Sequence, residues 1–163
     1  MRLCLFLNLL VSTSKSAVVI FHLSARPKLI KCRRIIFAVI IQETGLTGNV
    51  RERLGDNGAA HGLMQAHGGP DCLGTTFGGC TYDQVLAMLD AGVDGTSQTQ
   101  GLLSCYEQNG QNYPEALRCY NSGSVVDPGD LTKGLGTASY VSDVGNILRG
   151  SLSSWAAKTN CGF

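Results

Sequence analysis

Glu43 stands at the end of "IIFAVIIQETG", residues 35–45, after seven unbroken apolar residues and Gln42, and no Asp or Glu precedes it in the chain. A carboxyl group in apolar surroundings has a poorly solvated charged form, so its pKa rises. Such a group holds its proton closer to neutral pH and can act as a general acid. The plainer reading is a carboxylate at a helix end, solvated or paired. Groups able to complement an acid stand further on. Asp56, in "GDNGAAHGLMQ", is a second carboxylate, although Asp-Asn-Gly is also a turn former. His67 has an ordinary pKa of about 6.5, which suits a base near neutral pH as well as an exposed loop histidine. Asp71 is a spare carboxylate in the same stretch.

These residues need elements to position them. "KLIKCRRIIFAVIIQ" (28–42) predicts a helix with a wide apolar surface, hence deep burial. A β-strand competes over 35–41, where β-branched residues dominate. Gly45, Gly48, Gly55 and Gly58 make 44–61 mostly loop, with room for short strands in 44–66. "HGGPDCLGTTFGGC" (67–80) is a further loop that a Cys72–Cys80 bond would close. Thr81 and Gln84 form a capping box for a helix whose Val85, Leu86, Leu89 and Val93 keep helical spacing, with Gly92 or Gly95 to end it. "SQTQGLLSCYEQNG" (97–110) reads as a helix stopped at Asn109-Gly110. "NYPEALRCYNSG" (112–123) has Pro114 and Glu115 at favourable first-turn positions. "VVDPGD" (125–130) is a turn. A last helix over 139–155 spaces Val141, Val144, Leu148, Leu152 and Trp155 in steps of three and four. The expected architecture is mainly α, a single domain with long loops and at most a minimal β element.

The totals narrow the function classes. The chain has 163 residues, 44% apolar and 15% charged, with 21 glycines, which suits one globular domain rich in turns. Its net charge of +1 hides an asymmetry: residues 1–42 carry +7 and residues 43–163 carry −6. Nucleic-acid binding is not expected, because the basic residues sit mostly in the leader and one flank rather than across the folded domain. "MRLCLFLNLLVSTSKSA" has the charged start, apolar centre and small-residue exit of a secretory signal. A membrane anchor over Leu3–Leu23 is the rival, but Lys15 and "STSKS" interrupt it, and a span needs about 20 apolar residues. Residues 1–25 are therefore read as a leader, residues 26–163 as the domain, and the product as a secreted monomer without stable membrane association.

Seven cysteines are present. If Cys4 leaves with the leader, Cys32, Cys72, Cys80, Cys105, Cys119 and Cys161 remain, enough for up to three disulfides in about fifteen possible connectivities. Cys105 and Cys119 are plausible partners across neighbouring helices. A metal site is not expected, since no CxxC occurs and His22, His61 and His67 are not at zinc spacing.

Four short segments occur in order: "ETG" at 43–45, "GLMQ" at 62–65, "YNSG" at 120–123 and "YVSDV" at 140–144. Together they resemble the goose-type lysozyme and lytic transglycosylase superfamily, and the chain is similar to small secreted fungal lysozyme-like proteins. The resemblance covers residues 36–148. It implies a helical lysozyme-like fold and cleavage of peptidoglycan glycan strands, with no cofactor. It casts Glu43 as the general acid and Tyr140 as the tyrosine that steers its carboxyl group. Thr44, Gly62, Leu63, Met64, Gln65, Tyr120 and Asn121 become residues of the sugar-binding cleft. Asp56 matches an acid that positions the attacking water in goose-type enzymes. The pattern departs at Thr44, where Ser is usual, at Cys119, where Ala is usual, and at His67, where a second Asp is common.

Two outcomes follow from one acid. Hydrolysis with inversion needs a base on the far face of the sugar, with carboxyl groups about 6.5–9.5 Å apart. Asp56, with or without His67, would supply it. In the lytic transglycosylase outcome the sugar's own C6 hydroxyl attacks, giving an anhydro product, and one Glu suffices. Asp56 tips the expectation to a muramidase hydrolysing the β-1,4 bond between N-acetylmuramic acid and N-acetylglucosamine. An inactive peptidoglycan- or chitin-binding protein is the reading from a different class.

Overall fold

The computed structural model describes residues 33–45, 58–73 and 80–150. The expected leader, Cys32, Asp56, Leu152, Trp155 and Cys161 lie outside the described residues. Within them the chain is mainly helical: α1 (Arg33–Thr44), a ribbon of β1 (Ala60–His61) and β2 (Ala66–His67), then α2 (Tyr82–Asp94), α3 (Leu102–Gln108), α4 (Tyr113–Ser122) and α5 (Tyr140–Leu148).

The ambiguous apolar run is a helix. Ile35, Ile36, Ala38, Val39 and Ile41 of α1 are all buried, a pattern no half-exposed strand produces. A helix apolar all round is stable only when other elements surround it. Leu89 and Val93 of α2, Leu102 of α3, Leu117 of α4 and Val144 and Ile147 of α5 do so, in one core that also takes in Met64. Packing thus overrides the strand preference of the β-branched side chains.

Local chemistry sets the other helices. The Thr81 hydroxyl accepts from the Gln84 amide at 3.3 Å, and the Gln84 side chain accepts from the Thr81 amide at 2.8 Å. Asn112 caps α4 by accepting from Glu115 N at 3.3 Å, and Gly123 ends it in the left-handed conformation with φ 78°. The helix expected over 97–110 begins only at Leu102. Thr96 collects the amides of Gln98 and Thr99 on its hydroxyl, and Gly95 bridges to Gln100, so this stretch closes a turn instead. The expected turn at "VVDPGD" is present, with Asp130 N donating to Asp127 O at 3.1 Å.

Two disulfides tie the described parts, Cys72–Cys80 and Cys105–Cys119, each with Cα atoms 5.7 Å apart. The first closes the loop before α2 and the second joins α3 to α4. No helix among the described residues is long and apolar enough to cross a membrane.

Candidate active site

Glu43 lies in the last turn of α1, half-buried. α1 packs along α5, and its last turn meets the first turn of α5. There the Tyr140 hydroxyl donates to Glu43 Oε1 at 2.6 Å. Tyr140 is only 2% exposed. Burial pushes its phenol well above the ordinary value, and the charges of Glu43 and Tyr120 and the bond to Glu43 add to the rise, against Arg118. Burial likewise raises the Tyr120 phenol, again reinforced by the Glu43 charge. Two protonated phenols therefore share the field of one carboxylate.

Tyr120, on α4, is held from the opposite side. Its hydroxyl donates to the Met64 carbonyl at 2.7 Å. Met64 belongs to the tight turn between β1 and β2. Gly62 starts that turn at φ 75°, where a Cβ would come within 2.6 Å of the Pro70 carbonyl. Gln65, at φ 50°, folds both its backbone amide and its side-chain amide onto the Gly62 carbonyl, at 3.2 and 3.0 Å. "GLMQ" is thus a backbone shape that offers Met64 O to Tyr120.

Several of the residues expected at the cleft make contacts within the fold. The Met64 side chain is fully buried, packed where Gly92 of α2 leaves room for it. Thr44 is 3% exposed and its hydroxyl donates back to Ile40 O at 2.7 Å. The Asn121 side-chain oxygen accepts from Arg118 and, at 2.9 Å, from the Thr137 amide, holding the loop before α5. Leu63 is partly buried against the core.

The ribbon separates the two histidines. Ala60 pairs with His67 and His61 with Ala66, and alternation then puts His61 and His67 on opposite faces. The His67 carbonyl accepts from the Thr96 hydroxyl at 2.6 Å. Asp71 accepts from His61 Nδ1 at 2.5 Å and from the Leu73 amide at 2.9 Å. Burial works to raise the Asp71 pKa, but the Leu73 and His61 bonds and the His61 charge outweigh it and hold the carboxyl below its ordinary value. That pair fastens the loop leading to Cys72. Asp56 lies outside the described residues.

Sequence reasoning missed Arg118, which is 0% exposed in α4. Its guanidinium donates to Ser122 Oγ, Asn121 Oδ1 and the carbonyls of Leu131, Leu135 and Thr137. The only signal was an arginine among the apolar residues of "EALRCY", ahead of a glycine-rich loop that needs an anchor.

Comparison with family models, curated proteins and solved structures finds no match to this chain.

Proposed function

We propose that the protein is a secreted muramidase with a lysozyme-like fold that hydrolyses the β-1,4 bond between N-acetylmuramic acid and N-acetylglucosamine of peptidoglycan. The observation that supports this most is the Tyr140 hydroxyl on Glu43, at the end of a buried apolar helix. Order of motifs supports it too: the four segments of the superfamily pattern meet in two pairs, "YNSG" with "GLMQ" through Tyr120–Met64 and "YVSDV" with "ETG" through Tyr140–Glu43. The two disulfides fit an oxidising compartment and hence secretion.

The chemistry begins with Glu43 protonated. Tyr140 donates to Oε1, so the acidic proton resides on the other carboxyl oxygen. That proton goes to the glycosidic oxygen as the bond from the sugar's C1 breaks, and the leaving sugar departs as an alcohol. A water oxygen bonds to C1 from the opposite face and its proton passes to a base, for which Asp56 is the proposed residue. Tyr140, kept protonated, holds the carboxyl group in place throughout, while Tyr120 holds the β1–β2 turn beside it.

The second reading is a lytic transglycosylase, favoured by His67 standing where goose-type enzymes often carry a second acid. Mass spectrometry of purified peptidoglycan after digestion separates the two. Free reducing ends are expected, and anhydromuramic ends would replace hydrolysis by transglycosylation. Asp56→Asn should slow turnover by a factor of about 100 while leaving binding nearly intact. Unchanged turnover would remove Asp56 from the mechanism.

A further inference from the structure

A fully buried arginine needs a reason. Arg118 keeps its charge in proteins, and burial of that charge is costly unless its donors are satisfied. Here all the acceptors are neutral: among the described residues its partners are one hydroxyl, one amide oxygen and three main-chain carbonyls. Three of the five lie in the loop between α4 and α5. Its 127–133 part is held by its own bonds among Asp127, Asp130, Thr132 and Lys133, and the stretch that follows, 134–137, is held by Arg118 and Asn121. Leu135, Gly136 and Thr137 are exposed, Leu135 at 80%, and the loop carries Gly129, Gly134 and Gly136.

The Thr137 carbonyl links this cluster to the acid. It accepts from Arg118 Nη1 at 3.0 Å and also from the Tyr140 backbone amide at 3.0 Å. The Tyr140 hydroxyl then donates to Glu43. Asn121 doubles the attachment by accepting from Arg118 and from the Thr137 amide. Arg118 and Tyr120 sit on the same helix, so α4 contributes one phenol directly and fixes the other through a loop.

We infer that Arg118 is a positioning residue, a cationic clasp on the 131–137 backbone that sets the start of α5 and so holds the Tyr140 hydroxyl on Glu43. It touches neither the sugar nor the acid. As a statement about catalysis this rests on the proposed muramidase reading; as a statement about geometry it does not.

The test therefore reads both. The full chain with its disulfides is prepared as wild type, Arg118→Gln, Arg118→Lys and Gly136→Ala. A Cβ at Gly136, which has φ 78°, would come within 2.5 Å of Asn121 Oδ1, so this exposed change disturbs the clasp without touching the core. Ultraviolet titration, with Tyr140→Phe to assign the signal, follows the Tyr140 phenol and needs no activity. Release from the buried bond to Glu43 lowers its midpoint toward the ordinary value of about 10. Loss of the Arg118 charge alone would raise it further. The expected result is a lowered midpoint in Arg118→Gln and Gly136→Ala, a smaller shift in Arg118→Lys, and kcat reduced by a factor of about 10 to 100 with KM nearly unchanged. A midpoint that stays or rises in a folded variant overturns the clasp. If Arg118→Gln does not fold, the Lys and Gly136 variants decide it by the same criterion. A lowered midpoint in a wild-type background inactive on peptidoglycan upholds the clasp and sinks the muramidase reading alone.

Discussion

Tyr120 and Tyr140 must remain protonated for the site to keep its shape, and this links the site to stability. Both phenols lie well above the ordinary value, through burial first and the Glu43 charge second. In the unfolded chain they titrate near 10. The folded state therefore holds protons that the unfolded state gives up, and the resulting stability is intact below about pH 10 and lost as the pH rises beyond it. Denaturant unfolding followed by circular dichroism should show a steep alkaline fall that is shallower in Tyr140→Phe. Parallel curves would take Tyr140 out of the account. The sign is opposite at Asp71, whose carboxyl is held low: its contribution is present above about pH 3.9 and lost as the pH falls. The residues of this site were unequally legible. Glu43 stands out by its apolar approach, but 97 residues separate it from Tyr140, and only the resemblance of motifs joins them beforehand. Arg118 was invisible because an arginine in a helix is normally solvated, and its burial depends on carbonyls 13 to 19 residues further along.

At the scale of elements, the contact between α2 and the β1–β2 turn depends on one missing side chain. Gly92 lies inside α2, and a methyl group there would overlap Met64. Overpacking of this kind costs about 1–3 kcal/mol, while replacing a helical glycine by alanine returns about 1 kcal/mol. Gly92→Ala should thus lose up to about 2 kcal/mol in a denaturant melt and, by displacing the Met64 carbonyl from Tyr120, lower turnover as well. A variant as stable and as active as wild type would show that Met64 yields freely. Helix starts were readable, at Thr81 from its capping box and at Pro114 and Glu115 from their first-turn preference, because the residues that favour a first turn are local. The helix or strand choice at 35–41 was not, because only the surrounding helices decide it. The late start of α3 was missed because Thr96 organises its neighbours into a turn that competes with the helix.

For the whole molecule, α1 is the hub and the disulfides brace what surrounds it. Cys105 and Cys119 close a loop of 14 residues' separation between α3 and α4. Removing such a bridge releases about 3 kcal/mol of loop-closure entropy to the unfolded chain. Cys105→Ser with Cys119→Ser should therefore unfold at clearly lower denaturant with little change in the slope of the transition. A change confined to the slope would mean that the bridge acts otherwise. Because Tyr120 follows Cys119 directly, the same variant should also lose activity in proportion to its loosened α4. The pairing itself was foreseen only as one possibility among several, since cysteine spacing leaves connectivity open.

The central claim is that Glu43 donates the proton that cleaves a glycan. It is tested most directly by the release of soluble fragments from purified peptidoglycan, comparing wild type with Glu43→Gln. Gln keeps the shape and can still accept from Tyr140, but it cannot donate an acidic proton. Wild type should release fragments, and the folded variant should do so at least about 100-fold more slowly while still binding the polymer. Equal release by the two proteins, or none by wild type, would contradict the account.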